Sequence, residues 1–292
     1  MNTLCQLFFN GLFAGALYAL IAISFAIIYN TAGFFHFAHA AVYTLAAYGA
    51  LWLNLHRWPI PLAIAVAITL SACLGATMEF LVYRPLRNKG SSRAVLLISS
   101  LGMLIALQNV VSLCFGDATQ ALLDIRLAPF YLFGATITLI QAITLLTSLV
   151  AFILLYAWLR STKAGLTLRA VSNDPELSQV LGIKTGSVLV LAFALGSCLA
   201  GIAGILSGLD TDLTPLMGFR AVLIGVSAVI VGGMGSLPGA VIGGLLIGFA
   251  QQFAAWTMPT QWQDSIVFGL VIVFFALRPQ GVCGTPWRGA TL

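Results

Sequence analysis

Five long apolar runs constrain the fold of this chain more than any other feature of its sequence. A transmembrane helix needs roughly 20 mostly apolar residues, and each run is long enough to supply them. The runs are Leu4–Tyr29, Ile60–Val82, Ala94–Phe115, Phe130–Trp158 and Ser187–Leu209. They are apolar on every side, whereas the strands of a membrane β-barrel alternate apolar and polar residues. The sequence therefore predicts an all-α, polytopic helical membrane protein.

The composition excludes a soluble globular protein. Only 7% of the 292 residues are charged, whereas an ordinary soluble domain carries about a quarter. The five cysteines are scattered and show no metal-ligand spacing, so we interpret them as small apolar packing residues. The formal net charge is +5, and the basic residues that produce it lie at the predicted membrane edges. The charge therefore gives no reason to expect a nucleic-acid partner.

The basic residues cluster in loops and orient the predicted spans. Cytoplasmic loops carry an excess of Lys and Arg, so we expect ten of the thirteen basic residues, and the C-terminus, on the cytoplasmic side. These ten are Arg84, Arg87, Lys89, Arg93, Arg160, Lys163, Arg169, Lys184, Arg278 and Arg288. The loops expected outside carry Asp117, Asp124, Arg126, Asp210, Asp212 and Arg220. The side of the N-terminus stays open.

Two apolar segments are interrupted. The stretch from Ala221 to Met258 is cut by the sequence GGMGSLPGA, which predicts a hairpin or a re-entrant pair. The segment from Phe34 to Asn54 either crosses the membrane or breaks halfway. With a last span at Trp262–Leu277, the chain is expected to contain about eight or nine transmembrane helices, some of them broken or re-entrant.

The glycines of the interrupted stretch have two interpretations. Gly239 with Gly243, and Gly244 with Gly248, are spaced so that helix backbones can approach closely in lipid. Alternatively, a broken helix exposes backbone groups that line a pathway, which a membrane protein tolerates only beside a cavity or a neighbouring element. The helix-breaking residues would then be Gly232, Gly233, Gly235 and Pro238.

The second basic loop predicts a short helix at Pro175–Leu181. A capping residue, a proline in the first turn and an acidic residue favour a helix start, and a glycine favours its end. These residues are Asp174, Pro175, Glu176 and Gly182. Leu177, Val180 and Leu181 fall on one face. Because so short a helix is marginal alone in water, it either packs on its own bundle or docks a soluble partner.

Glu79 is an acidic residue near the end of an apolar run. An intramembrane carboxylate is a candidate functional group, but Glu79 lies close to a basic loop, so we expect it to pair with Arg84 or a neighbouring basic residue. The apolar runs contain no deeper carboxylate, which argues against a proton-coupled carrier.

His36 and His39, in the sequence AGFFHFAHA, are three residues apart and suggest a metal pair or a proton relay. A metal ion would need further ligands, yet the one other histidine is His56 and no Cys or carboxylate lies near in sequence. We therefore predict no metal site and no cofactor.

Four ordered stretches resemble the permeases of the branched-chain amino acid family of ATP-binding-cassette importers, the LivH/LivM type. They are AVSNDPELSQVLGI, which resembles the cytoplasmic coupling segment; NGLFAGALYALIAISFAIIYNTAGFFHFAHA, which resembles the first span and the following loop; EFLVYRPLR; and AVIVGGMGSLPGAVIGGLLIG. The resemblance implies one permease domain over residues 1–292, with a coupling loop at residues 160–186, in a bacterial inner membrane.

The same resemblance implies a transport subunit and not an enzyme. The sequence contains no G-x-x-x-x-G-K-[ST] phosphate loop, so ATP hydrolysis is expected from separate ATPase subunits that dock on the short helix. A second homologous permease and a periplasmic substrate-binding protein complete the expected complex. Branched-chain amino acids are the family's usual cargo, with urea or short amides as the alternative. A stand-alone ion-coupled carrier is the rival outside the family.

Under the same resemblance, one of the two histidines matches the family pattern and the other departs from it. The family pattern is Asn-Phe-Ala-His-Gly, so His39 matches the retained histidine, whereas His36 replaces an asparagine and Ala40 a glycine. We hypothesise a helix break here, with Gly33 as the main breaker, in which the histidines bond freed backbone groups beside the substrate pathway. The candidate pathway residues are His36, Phe37, His39, Gly232, Gly233 and Gly235.

Overall fold

The structure is a computed structural model that describes residues 3–122, 129–132 and 134–284, without the side chain of Thr260. Its helices are α1 (Thr3–Ala32), α2 (His39–Leu55), α3 (Ile60–Met78), α4 (Arg84–Asn88), α5 (Arg93–Phe115), α6 (Leu139–Ser161), α7 (Lys163–Asn173), α8 (Pro175–Val180), α9 (Thr185–Asp210), α10 (Met217–Gly232), α11 (Leu237–Thr257) and α12 (Gln263–Leu277). A π-helical turn, Glu79–Tyr83, joins α3 to α4, and a 3₁₀ turn, Thr260–Trp262, precedes α12.

Six helices of the described residues are long and apolar enough to cross a membrane. They are Thr3–Ala32, Ile60–Asn88, Arg93–Phe115, Leu139–Ser161, Thr185–Asp210 and Leu237–Thr257. Two shorter apolar helices, Met217–Gly232 and Gln263–Leu277, accompany them. The prediction of a polytopic helical membrane protein is confirmed, and the interrupted stretch forms the predicted pair of helices, α10 and α11.

The predicted span Phe130–Trp158 begins too early. Strands β1 (Phe130–Leu132) and β2 (Ala135–Ile137) form an antiparallel hairpin, and the helix starts at Leu139. Gly134 adopts a φ of +79°, which turns the chain back. The side-chain amide of Gln6 then bonds Thr136 twice, accepting from its N–H at 2.7 Å and donating to its carbonyl at 3.0 Å. Apolar composition alone did not reveal this hairpin.

The chain divides into two compact units. The first comprises Met1–Ala26, Leu127–Ser148 and Leu223–Leu292, and the second comprises Ile27–Arg126 and Leu149–Val222. In the first unit, α1 and α11 approach at Gly15 and Gly248, where a β-carbon would strike the opposing backbone. In the second unit, α2, α3 and α9 pack together through Gly204, which faces the Tyr43 carbonyl, and Gly75, whose β-carbon would lie 2.7 Å from the Phe193 carbonyl oxygen.

Some residues of the sequence analysis lie outside the described part of the chain. These are Asp124, Arg126 and Arg288. The orientation of the spans and the cytoplasmic C-terminus remain predictions.

Candidate translocation and coupling sites

The helix break at residues 33–38 follows α1 and is held by Ser100 of α5. Gly33 begins it with a φ of +72°, a conformation that favours glycine. The Phe37 N–H donates to Ser100 Oγ at 3.2 Å, and the Ser100 hydroxyl lies 3.3 Å from the Phe35 carbonyl oxygen. Because freed backbone groups are costly in lipid, this serine stabilises the break. No sequence pattern predicts this role of Ser100, since a lone serine in an apolar run looks like any other small residue.

Both histidines of the break are fully buried in the second unit. His36 Nδ1 is hydrogen-bonded to the Tyr83 hydroxyl at 2.9 Å. The His36 ring lies 5.0 Å from the Phe193 ring and 5.8 Å from the His39 ring, centroid to centroid. His39 is the first residue of α2, and its N–H donates to the His36 carbonyl at 3.3 Å. The break is therefore packed by aromatic rings that the sequence places far away.

Each histidine of this cluster has a buried ring nitrogen without a hydrogen-bond partner among the described residues, His36 Nε2 and His39 Nδ1. A buried imidazole nitrogen without a partner is costly, so such an atom is suited to accept a hydrogen bond from a water molecule or another polar group, or to donate one to it. Within the described residues, no three His, Cys, Asp or Glu side chains gather into a group that could hold a metal ion.

Glu79 forms an ion pair with Arg87 beside the same cluster. Both carboxylate oxygens of Glu79 accept hydrogen bonds from the Arg87 guanidinium, and the Glu79 side chain is fully buried. The prediction that Glu79 pairs with a neighbouring basic residue is confirmed, with Arg87 as the hydrogen-bonded partner. Glu79 opens the π-helical turn and Tyr83 ends it, so the ion pair fixes the turn that carries the His36 partner.

The Gly-rich break lies in the first unit and is covered by the chain beyond α12. The N–H groups of Val282 and Cys283 donate to the carbonyls of Val231 and Gly232, at 2.9 and 2.8 Å. These carbonyls end α10, so the returning segment satisfies acceptors that a helix end leaves open. Gly233, with a φ of +111°, has no room for a side chain because Gly284 and Gln280 lie against it. Sequence reasoning did not identify this covering segment.

The glycine pairs of α11 serve close packing. A β-carbon on Gly243 would strike the Ala228 carbonyl of α10, and one on Gly244 would strike the Ala19 backbone of α1. Gly239 faces Gly232 across the α10–α11 hairpin. Gly235, in contrast, has a φ of +96° and nothing within 4 Å of its β-carbon position. Thus three of these contacts support the packing interpretation, while Gly235 borders open space.

The predicted short helix is α8, and its cap is as expected. Asp174 Oδ1 accepts from the Leu177 N–H at 2.9 Å, Pro175 and Glu176 occupy the first turn, and Gly182 follows with a φ of +81°. The helix ends at Val180, one residue earlier than predicted, with Leu181 as its C-cap. Local capping chemistry therefore predicts this element almost to the residue.

The apolar side chains of α8 point away from the rest of the chain. Leu177, Val180 and Leu181 are 55%, 84% and 71% exposed, whereas Ser178 is buried and donates to the Asp174 carbonyl at 2.7 Å. The prediction left open whether these residues pack on their own bundle. Among the described residues they stay largely exposed, and the buried side of α8 is its polar serine.

The helix α7 connects α8 with the end of α1. The Ser172 hydroxyl, in the last turn of α7, donates to the Asn30 carbonyl at 3.1 Å. Asn30 precedes Gly33 by three residues, so this contact joins the loop that carries α8 to the start of the histidine break. The predicted pathway residues therefore form two groups: His36, Phe37 and His39 in the second unit, and Gly232, Gly233 and Gly235 in the first.

Comparisons with known proteins find relatives along nearly the whole chain. LivH, a permease protein of the high-affinity branched-chain amino acid transport system of Escherichia coli K12, is 34% identical over 96% of this chain and 96% of its own length. BraD, the corresponding permease protein of Pseudomonas aeruginosa, is 33% identical over 95% and 94%. PsaBC from Streptococcus pneumoniae, solved in complex with a Fab, shares the fold, with a TM-score of 0.54 at 12% identity over 96% of this chain and 93% of that chain.

A sequence model of one permease family matches residues 7–276, which is most of the chain. The match includes the histidine break, the short helix α8 and the Gly-rich hairpin, the same stretches that carry the resemblance. The chain belongs to the family described as the permease component of the branched-chain amino acid transport system.

Proposed function

We propose that this chain is the membrane-spanning subunit of an ATP-driven importer of amino acids, with branched-chain amino acids as its cargo. LivH and BraD match nearly the whole chain, and their names, which specify branched-chain amino acid transport, support this choice of cargo. The observation that carries the ATP-driven mechanism is the exposed apolar end of α8. Leu177 and Val180 are held outward by a well-capped helix, and exposed apolar groups of this kind mark interaction sites.

In this proposal ATPase subunits dock on α8 and hydrolyse the ATP. Their movement reaches the histidine break through α7, whose Ser172 bonds the Asn30 carbonyl just before the break. The break then changes position, so that the spans open alternately to each side of the bacterial inner membrane. Within the second unit, His36 Nε2 is a group that offers a contact to the cargo.

The remaining partners follow from the same proposal. A second homologous permease subunit completes the pathway, and a periplasmic binding protein delivers the amino acid. Asp117, Asp210 and Asp212 are exposed at the ends of α5 and α9 opposite the basic loops, where a basic surface of the binding protein would meet them. The C-terminus lies in the cytoplasm with the basic loops.

Uptake into proteoliposomes tests the cargo and the energy source together. The chain is reconstituted with its ATPase, permease and binding-protein subunits, and uptake of labelled leucine, isoleucine, valine, urea and acetamide is measured with and without internal ATP. We expect ATP-dependent uptake of the three amino acids. Uptake by this chain alone would show a stand-alone carrier, and saturable uptake of urea or acetamide would replace the proposed cargo.

Charged substitutions on α8 test the docking surface. We expect the double variant Leu177→Asp/Val180→Asp to lose ATP-driven uptake at least ten-fold, because two carboxylates replace the exposed apolar contact. Glu176→Gln, on the same exposed helix, is the matched control and should retain uptake. Equal uptake by the double variant, at the same membrane level of the chain, would remove α8 as the docking site.

A further inference from the structure

Two arginines of the second unit lie over aromatic rings on the outer surface of their helices. The Arg84 guanidinium carbon is 5.5 Å from the centre of the Phe80 ring, and that of Arg160 is 4.9 Å from the centre of the Tyr156 ring. Phe80 is 54% exposed and Tyr156 is 53% exposed. A cation over an aromatic face is attracted by the ring, so each arginine is oriented even though it lies at the surface.

These two positive charges have no salt-bridge partner in the described chain. Neither Arg84 nor Arg160 forms an ion pair with a described residue. Glu79 interacts electrostatically with Arg84, but both of its carboxylate oxygens are already bonded to Arg87. Arg84 also lies against the start of α9, with its Nε 3.8 Å from the β-carbon position of Gly186. The N–H groups at the edge of each guanidinium are thus available to an external acceptor.

Both pairs lie at the ends of helices that are long and apolar enough to cross a membrane. Arg84 lies near the end of the continuous helix Ile60–Asn88, and Arg160 lies in the last turn of Leu139–Ser161. Two spans, α5 and α6, separate them along the chain, which places them on the same side. Exposed apolar side chains, Leu81 and Leu154, lie just inside the arginines on these helices. Such a surface is apolar where acyl chains lie and cationic where headgroups lie.

We propose that the Phe80–Arg84 and Tyr156–Arg160 pairs are binding sites for the phosphate headgroup of an anionic phospholipid. The planar guanidinium presents paired N–H donors that match phosphate oxygens, and basic clusters at the cytoplasmic ends of spans attract anionic lipid. The acyl chains lie along Leu81 or Leu154. This proposal needs only the membrane location of the chain and stands apart from the proposed transport function.

Lipid binding to the purified full-length chain tests the proposal. The chain is delipidated in a neutral detergent and titrated with dioleoylphosphatidylglycerol or dioleoylphosphatidylcholine, and bound lipid is counted by native mass spectrometry. We expect wild-type protein to retain phosphatidylglycerol preferentially. Arg84→Gln and Arg160→Gln should each weaken that binding about five-fold, and the double variant should lose the preference.

The matched control is Arg57→Gln, because Arg57 is exposed in the turn just before the start of the helix Ile60–Asn88, whose other end carries Arg84. It should bind phosphatidylglycerol as wild type does. Arg84→Lys and Arg160→Lys retain the charge without the planar fork and should fall between wild type and the glutamine variants. If Arg84→Gln fails to fold, Arg160→Gln still tests lipid binding at the Tyr156–Arg160 pair.

Three results would overturn the proposal. The first is a double glutamine variant that binds phosphatidylglycerol like wild type. The second is an equal loss in Arg57→Gln, which would show an effect of net charge. The third is that soluble glycerol 3-phosphate binds the chain as well as phosphatidylglycerol does. That result would show a site for free phosphate esters in place of lipid.

Discussion

The break at residues 33–38 and the break at residues 233–236 interrupt the helices of the two units, yet they are held by different kinds of group. In the first, side chains from other helices hold the chain, with Ser100 bonded to the backbone and Tyr83 bonded to His36. In the second, backbone groups of Val282 and Cys283 hold the end of α10. The difference separates a break that side chains of distant helices hold in place from one that is held mainly by backbone groups of the covering segment.

The largest expected effect comes from the ion pair that fixes the π-helical turn Glu79–Tyr83, which carries the Tyr83 partner of the first break. Removing one partner of a buried ion pair typically costs about 3–5 kcal/mol, because the other charge stays buried without compensation. We therefore expect Arg87→Ala to lower the free energy of unfolding by roughly that amount, since the Glu79 side chain is fully buried. Unfolding in mixed micelles, followed by tryptophan fluorescence, measures it.

Arg87→Lys is the control for this prediction. It keeps a cation near Glu79 and should recover more than half of the lost stability. An unfolding midpoint of Arg87→Ala close to that of wild type would show that the first break does not depend on these side chains. The contrast between the two breaks would then be wrong.

The second break should respond to removal of its covering segment. Truncation after Leu277 removes the N–H donors of Val282 and Cys283, and each hydrogen bond contributes on the order of 1 kcal/mol. We expect a loss of about 2 kcal/mol in the free energy of unfolding. Truncation after Gly284 keeps both donors and is the control. Equal stability of the two truncated chains would show that the covering segment does not hold the break.

The same difference explains what the sequence could predict. The spans and the capped helix α8 depend on residues that are adjacent along the chain, such as Asp174 and the Leu177 N–H, so apolar length and capping patterns identified them. The hairpin at 130–137 was missed because its apolar residues resemble those of a span. Gly33 and Gly232 did predict where the helices break, because glycine is the residue that leaves helical geometry most easily.

The groups that hold the breaks could not be predicted in this way. Ser100 lies 63 residues from Phe37, and Tyr83 lies 47 residues from His36. A single sequence contains no signal for such pairings, because serine and tyrosine in apolar helices serve many purposes. Likewise, the contact of Val282 with Val231 uses backbone atoms, which leave no trace in the sequence. Only the packing of helices reveals either arrangement.

The smallest expected effect concerns the bond between Tyr83 and His36. Tyr83→Phe removes the hydroxyl and leaves His36 Nδ1 buried without its partner, which should cost about 1 kcal/mol. Tyr48→Phe is the matched control. Tyr48 is equally buried in the same unit, but its hydroxyl has no hydrogen-bond partner among the described residues. Its removal should therefore leave the stability unchanged or slightly raise it.

A double-mutant cycle with His36→Leu isolates this bond from the packing of the rings. The cost of Tyr83→Phe should fall to near zero when His36 is already leucine, since residues that share one hydrogen bond are not additive. The cycle also decides between two accounts of the first break. A coupling energy near 1 kcal/mol means that side-chain polarity positions His36, whereas additive costs mean that the aromatic rings of Phe34 and Phe193 hold the imidazole by shape alone.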